Sequence, residues 1–314
     1  MNRTRLTISS ALLTLLALPC ARAADLPPFS RKEDVIYGRK HGMALTLDVL
    51  TPEKAKGIGV IFAVSGGWFS DRAAIRPNRL AELLARGYTV FAVVHGSQPR
   101  FTIPEVVEDM HRAVRFIRHN ARDYGIDPER IGISGGSAGG HLSLMQGTAG
   151  RPGDPNAKDP VDRESSAVQA VACFYPPTDF LNYGQPGEVA LGYGTLKDFR
   201  APFEFNEFDP KLRRIVPIAD QNRILEIGRS ISPAYHASPG DAPALIIHGD
   251  ADKLVPIQQA QVIVEKLQAA GVPARLVTKP GAGHGWSGVD KDVAAFADWF
   301  DEHLGKEKGE GKKL

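Results

Sequence analysis

The chain has 314 residues, and 43% of them are hydrophobic, so it is long enough to bury one large core. Its formal net charge is only +2, which does not indicate a nucleic-acid partner. The two cysteines are Cys20 and Cys173. Because Cys20 lies in a segment that we expect to be removed, we expect no intrachain disulfide and a buried Cys173 in a strand.

The first 23 residues have the pattern of an export signal. Residues 1–5 contain two arginines, residues 6–18 form a mostly apolar run, and residues 21–23 read Ala-Arg-Ala, an A-x-A cleavage site. The apolar run is shorter than the about 20 residues that a membrane-spanning helix needs. The sequence therefore predicts cleavage near Ala23, export to the periplasm or beyond it, and no stable membrane anchor.

Apolar runs alternate with helical patterns in the predicted domain, residues 24–304, as in βαβ units with a mainly parallel sheet and helices on both faces. The predicted strands are residues 34–38, 44–50, 57–64, 88–94, 131–134, 168–174, 244–248 and 274–278. The predicted helices are residues 78–86, 104–124, 257–270 and 290–304. The first two strands are close in sequence, so we expect them to be antiparallel.

Two segments interrupt this alternation. Residues 180–231 carry aromatic side chains among charges, glycines and prolines, and a structureless loop of that length is unusual in a compact domain. We therefore predict an insertion with short elements of its own, either a cap over the functional site or a surface excursion. Residues 305–314 are rich in Lys, Glu and Gly, which favours a disordered tail.

The pattern G-x-S-x-G occurs in two overlapping frames, centred on Ser134 and on Ser137. A nucleophilic serine of this kind sits on a sharp turn between a strand and a helix. In the first frame the helix would open with Gly135 and Gly136, which are poor helix formers. In the second frame the strand continues through Ser134, and helix formers follow from Leu142. The sequence thus favours Ser137, and the lack of Lys-Ser/Thr after the glycines disfavours a phosphate loop.

A serine nucleophile needs a base, and His284 has the most suitable setting. It lies in the glycine-rich segment 280–286, after a predicted strand, where open parallel sheets place their ligands. His111 and His119 lie in a helical pattern and are expected to be solvated, and His141 is expected to pack within a helix. His95 and His248 end predicted strands, where we expect structural histidines with a role in the pocket as the alternative.

The acid that orients the base should also follow a strand. Asp250 and Asp252 both follow the strand at 244–248. Asp252 lies deeper in the loop and fits the chain order Ser–Asp–His, whereas Asp250 is expected to bind backbone amides in the turn. Asp179 is a further candidate that is alternatively a turn residue.

An acyl-transfer site also needs backbone N–H groups that stabilise a developing oxyanion. The expected donors are Ala138, which follows the nucleophile, and Gly67 or Trp68 in the loop after the strand at 57–64. The alternative is that this loop is an ordinary glycine turn. No clustered ligand spacing indicates a metal, and we expect no cofactor.

Over about residues 34–304 the chain resembles the α/β-hydrolase family, most closely the bacterial esterases related to hormone-sensitive lipase and to feruloyl/acetyl esterases. The resemblance rests on Ser65-Gly66-Gly67-Trp68, the glycine-rich run at 135–140, the segment 248–256 and Gly283-His284. In two places the chain departs from the family. Ser65 stands where the family usually has a histidine, and Val94-His95-Gly96 stands where it often has Tyr-Arg.

The resemblance implies an α/β-hydrolase fold and a serine esterase that works through an acyl-enzyme. It further implies short-chain, acetyl or feruloyl esters of small molecules or carbohydrates as substrates. Two alternatives stay open: an exported serine peptidase of the same fold, and a non-catalytic binding protein that keeps the fold.

Overall fold

The structure, a computed structural model, describes residues 26–305. The predicted export signal, Cys20 and all but the first residue of the predicted tail lie outside these residues. The strands are β1 (Phe29–Lys40), β2 (Met43–Pro52), β3 (Gly59–Ala63), β4 (Thr89–Val94), β5 (Ile131–Gly136), β6 (Ala170–Phe174), β7 (Asn206–Asp209), β8 (Arg214–Pro217), β9 (Ala244–Gly249) and β10 (Ala274–Lys279). The helices are α1 (Ala81–Ala85), α2 (Ile103–His119), α3 (Ala138–Thr148), α4 (Gln221–Ser230), α5 (Gln258–Ala269) and α6 (Val293–Leu304).

Eight of the strands form one sheet in the order β1-β2-β4-β3-β5-β6-β9-β10. β2 pairs antiparallel with β1 and β4, and the other pairings are parallel. Every predicted strand is present, including the antiparallel first pair. The parallel strands end at one edge of the sheet, so the loops that follow them come together there.

Helices cover both faces of the sheet, which explains the continuous apolar runs of the central strands. On one face α2, α3 and α5 pack in a core that includes Val106, Leu142 and Ile263. On the other face α1 and α6 contribute Leu83 and Phe300. Cys173 is buried in β6 and is not in a disulfide. None of the helices in residues 26–305 is long and apolar enough to cross a membrane.

Three predicted helices differ from the structure at their ends, and the first, predicted at 78–86, begins with a 3₁₀ turn, Pro77–Leu80, before α1. The helix predicted at 104–124 ends at His119, where the side-chain amide of Asn120 donates to the Phe116 carbonyl at 2.7 Å and turns follow. Its start is fixed by Glu105, whose carboxylate accepts from the Thr102 N–H at 2.8 Å, a pairing typical of a capping box. The helix predicted at 290–304 begins with a 3₁₀ turn, Val289–Asp292, before α6.

Residues 180–231 contain short elements: 3₁₀ turns, the antiparallel ribbon β7–β8, and α4. Aromatic side chains anchor this insertion, because Phe180, Phe203 and Phe205 are buried in the same core as α2 and α3. The ribbon itself exposes Phe208 and Ile215. These buried aromatic side chains therefore attach the insertion to the domain, whereas the ribbon lies in solvent.

The expectation that His111 is solvated is wrong. His111 lies on the inner side of α2, fully buried, with Nδ1 2.9 Å from the Ser166 hydroxyl. Burial, reinforced by the positive charges of Arg151 and Arg115, lowers the pKa of His111 to about 3. The helical pattern did not reveal this, because the segment that covers His111 is more than 50 residues away in sequence.

This buried imidazole predicts a pH-dependent stability. The unfolded chain binds a proton at His111 below about pH 6.5 and the folded chain does not until about pH 3, so the free energy of unfolding decreases as the pH falls between these values. In His111→Gln the dependence on pH should be shallower by up to about 1.4 kcal/mol per pH unit. Urea unfolding between pH 6 and 4 measures this dependence, with His119→Gln, a substitution of the exposed histidine on the same helix, as the control. Equal slopes in the wild type and His111→Gln would contradict the prediction.

Candidate active site

Ser137 occupies a sharp turn between a strand and a helix. β5 ends at Gly136 and α3 begins at Ala138, and Ser137 between them has φ 54° and ψ −121°. A positive φ is strained for a residue with a side chain and is typical of the exposed serine in a nucleophile elbow. Ser134 lies within β5 with only 3% of its surface exposed. Of the two G-x-S-x-G serines, the fold presents Ser137.

The turn is possible because glycines permit a very close crossing of β5 and α3. A Cβ added at Gly135 would stand 2.5 Å from the carbonyl of Gly139, and one at Gly139 would stand 2.7 Å from the Ala63 carbonyl oxygen. Both contacts are with backbone atoms, which cannot rotate away. Only glycine therefore fits at either position without a shift of the helix.

Gly135→Ala should consequently destabilise the protein by about 1–3 kcal/mol, because the added methyl group displaces α3. It should also displace Ser137, since the serine moves with the helix. Gly66→Ala is the matched control for stability, because its Cβ would meet nothing within 4 Å, and we expect a change within about 0.5 kcal/mol. Urea unfolding measures the free energy of unfolding of the two variants. A Gly135→Ala variant as stable as the wild type would show that the crossing is not tight.

The structure brings Ser137, His284 and Asp252 together at the carboxyl edge of the sheet. His284 Nε2 lies 2.9 Å from Ser137 Oγ, and His284 Nδ1 lies 2.7 Å from Asp252 Oδ2. The histidine thus stands between the hydroxyl and the carboxylate, each within hydrogen-bond distance. Elements far apart in sequence supply the three: the β5–α3 turn, the loop after β9 and the loop after β10.

The carboxylate of Asp252 is buried and well supplied with donors. Its Oδ1 accepts from the Leu254 and Val255 amides, each at 2.9 Å, and its Oδ2 also lies 3.3 Å from Nε2 of the buried His248. Burial alone raises the pKa of Asp252, but hydrogen bonds from His248, His284 and Val255 outweigh it, so its pKa is below the ordinary value. Asp252 therefore stays ionised beside His284.

The other two candidate carboxylates have structural contacts. Asp250 accepts from the Gly281 amide at 2.6 Å and so links the loops after β9 and β10. Asp179 accepts from the amides of Leu181 and Asn182, as a turn residue does. Among the described residues, Asp252 is the carboxylate that contacts His284.

The loop after β3 forms a tight turn at the same edge. Gly66 and Phe69 exchange backbone hydrogen bonds of 3.0 and 2.9 Å, and Gly67 and Trp68 between them have φ 55° and 58°. We call Gly66 to Phe69 the oxyanion turn. Within residues 26–305, no acceptor is found for the amides of Gly67, Trp68 or Ala138. These three donors are free for a ligand.

Ser65, the residue that replaces the usual histidine, has a hydrogen-bond partner that the sequence did not reveal. Ser65 Oγ lies 2.8 Å from Nε2 of His95, whose Nδ1 lies 2.7 Å from the Gly96 carbonyl. Burial lowers the pKa of His95 to about 4, so the ring is neutral, donates to Gly96 and accepts from Ser65. The pairing of β3 with β4 could have indicated this contact. Ala63 is the partner of Val93, so Ser65 and His95, each two residues further on, are neighbours.

A cavity of about 560 Å³ opens beside Ser137 and His284. Its walls are largely aromatic and aliphatic: Phe69, Phe174, Tyr175, Phe199, Val289 and Val293. The Tyr175 ring lies 4.5 Å from the His284 ring, and Phe199 comes from the insertion. Within the described part of the chain, no group of His, Cys, Asp or Glu side chains is arranged to hold a metal ion.

This architecture and the turn that carries Ser137 are those of the α/β-hydrolase fold. The model of the BD-FAE family matches residues 47–267, which is most of the domain. The chain therefore belongs to the BD-FAE family, whose members are α/β-hydrolases like hormone-sensitive lipase.

Individual relatives agree with this assignment. The chain is 30% identical over 245 residues to a protein of Mycobacterium tuberculosis named probable carboxylic ester hydrolase LipM, covering 76% of this chain and 52% of LipM. Among solved structures, a truncated carbohydrate esterase from gut microbiota superposes with a TM-score of 0.70 at 25% identity, covering 90% of this chain and all (100%) of that one. Esterase 2 of Thermogutta terrifontis superposes with a TM-score of 0.66 at 24% identity, covering 92% and 96%.

The chain spans about half the length of the curated relatives that it matches, 52% of LipM and 53% of the mycobacterial esterase LipC. The solved structures are matched over nearly their whole length. The shared part is thus the hydrolase domain.

Proposed function

We propose that this chain is a serine carboxylic-ester hydrolase. The observation that carries the proposal is the His284 ring between Ser137 Oγ at 2.9 Å and Asp252 Oδ2 at 2.7 Å. The names of its relatives, a probable carboxylic ester hydrolase and a carbohydrate esterase, support the same reaction class.

In the proposed reaction His284 Nε2 takes the proton of Ser137 as Oγ forms a bond to the ester carbonyl carbon. The electron pair of the carbonyl moves to its oxygen, where Ala138 and Gly67 or Trp68 donate hydrogen bonds. The ionised Asp252 orients the imidazole and stabilises its positive charge. The alcohol leaves with the proton from His284, and water then releases the acid from the acyl-enzyme by the same steps.

For the substrate we propose short-chain, acetyl or feruloyl esters of small molecules or carbohydrates. The aromatic lining and the about 560 Å³ of the cavity support an acyl group as large as feruloyl as well as smaller ones. We also propose that the insertion at 180–231 acts as a cap, because Phe199 forms part of the cavity wall. The signal-like N-terminus supports an exported enzyme.

Ser137→Ala should abolish ester hydrolysis, with a loss of at least about 10⁴-fold in kcat, because it removes the hydroxyl that lies 2.9 Å from His284 Nε2. Ser134→Ala is the matched control and should retain activity, since Ser134 lies inside β5. Nitrophenyl esters of graded length and acetylated and feruloylated sugars serve as substrates. A fluorophosphonate probe followed by peptide mapping should label Ser137.

The outcomes separate the alternatives. Absence of labelling would favour the non-catalytic binding protein, and labelling with cleavage of peptides but not esters would favour the peptidase. Activity that persists in Ser137→Ala would refute the proposed nucleophile.

Asp252→Asn should lower kcat by about 10³–10⁴-fold, because an amide favours the wrong tautomer of His284. Asp250→Asn is its matched control, two residues away and in contact with a backbone amide, and should stay within about tenfold of the wild type. Steady-state kinetics at neutral pH measures kcat for the two variants. Equal losses in the two variants would contradict the assignment of the acid.

A further inference from the structure

The buried side chain of Trp68 connects the oxyanion turn to two other parts of the chain. Its Nε1–H donates to His141 Nδ1 at 3.1 Å, and His141 Nε2 lies 2.6 Å from the carbonyl oxygen of Ile231. A carbonyl only accepts, so Nε2 carries the hydrogen and Nδ1 is free to accept from the indole. His141 lies one turn after Ser137 in α3, and Ile231 ends the insertion.

The arrangement requires a neutral imidazole. A protonated ring would carry a hydrogen on Nδ1 as well and would lose the indole as a donor. Burial lowers the pKa of His141 to about 4, which keeps the ring neutral at physiological pH. The bond between Trp68 and His141 is therefore present throughout the range in which an esterase with a histidine base works.

Side chains of the insertion pack around the same turn. The Trp68 ring contacts Phe203 and Phe180 at centroid distances of 5.2 and 5.8 Å. Phe199 packs so closely on Gly67 that an added Cβ would lie 2.7 Å from its ring. The turn is thus held between the insertion on one side and α3 on the other.

The turn needs such an anchor. Two successive residues, Gly67 and Trp68, have left-handed backbone conformations, which is costly for tryptophan. The amides that would bind an oxyanion donate to nothing within the described residues, so they do not hold the turn in place. The Gln98 amide donates to the Trp68 carbonyl at 3.3 Å and ties the turn to the segment after β4. The indole hydrogen bond and the aromatic contacts tie it to α3, which begins next to Ser137, and to the insertion.

We propose that His141 is a positioning residue for the oxyanion turn, and that the insertion acts with it to hold the amides of Gly67 and Trp68 in place. This inference rests on the proposed esterase function. His141 touches no reacting atom, since it acts through the Trp68 side chain.

The proposal makes a kinetic distinction. Negative charge appears on the carbonyl oxygen only when Ser137 Oγ bonds to the carbon, so a displaced amide weakens the transition state and not the bound ester. Loss of the anchor should therefore lower kcat and leave KM nearly unchanged. A trifluoromethyl ketone, which forms the same bond to Ser137 and carries an oxyanion, should lose affinity in parallel with kcat.

The test compares three variants, His141→Leu, His141→Gln and Trp68→Phe. His141→Leu and Trp68→Phe should lower kcat by about 10- to 100-fold with KM within about threefold. His141→Gln offers one acceptor and one donor and should recover most of the lost kcat. The matched controls are His111→Leu and Trp299→Phe, which remove a buried imidazole and an indole donor elsewhere; kcat should stay within about threefold.

An unchanged kcat in His141→Leu and Trp68→Phe, with Ser137→Ala inactive, would overturn the positioning role and leave the proposed function intact. Losses of kcat of the same size in the two control variants would also overturn the positioning role. So would a His141→Gln variant with a kcat as low as that of His141→Leu. If His141→Leu does not fold, as judged by thermal unfolding, Trp68→Phe decides the question because it removes only the donor. Activity in Ser137→Ala would instead refute the proposed function.

Discussion

The site depends on the crossing of β5 and α3 over the end of β3, where backbone meets backbone. At Gly135 and Gly139 there is no room for a methyl group, and this proximity is what bends the chain sharply enough to hold Ser137 in a left-handed conformation. The strain of one residue is balanced by the packing of the buried helix α3 against the sheet. The distance from Ser137 Oγ to His284 Nε2 depends on that crossing, because the loop after β10 reaches a serine whose place is fixed.

The charge of Asp252 determines what the loop after β9 contributes to the site. The carboxylate of Asp252 is removed from water but accepts from two backbone amides and lies 2.7 Å from Nδ1 of His284, so it remains charged in a buried position. A buried charge with this many donors is strongly oriented. His248, at the end of β9, is a structural histidine, because its Nε2 lies 2.8 Å from the Val255 carbonyl oxygen and so ties β9 to the loop that carries Asp252.

Most of the fold and the main residues of the site follow from local patterns. Apolar runs predicted every strand of the large sheet, and the turn chemistry around Ser137 separated it from Ser134. What the sequence did not reveal depends on contacts between distant segments: the burial of His111 against Ser166, the bond from Trp68 to His141, and the aromatic anchoring of the insertion. Helical periodicity shows which side of a helix is apolar, but a histidine on that side can meet solvent or a covering loop, and periodicity does not distinguish them.

The hydrogen bond between Ser65 and His95 bears on how this family varies. Ser65 stands at the motif position where the family usually has a histidine, and its hydroxyl after β3 lies 2.8 Å from the imidazole of His95 after β4. The two positions are neighbours in register, so they are expected to change together during divergence. A histidine introduced at position 65 alone would place two imidazoles face to face and leave one without an acceptor. A motif that demands a histidine before the two glycines therefore misses this chain, although the chain forms the oxyanion turn.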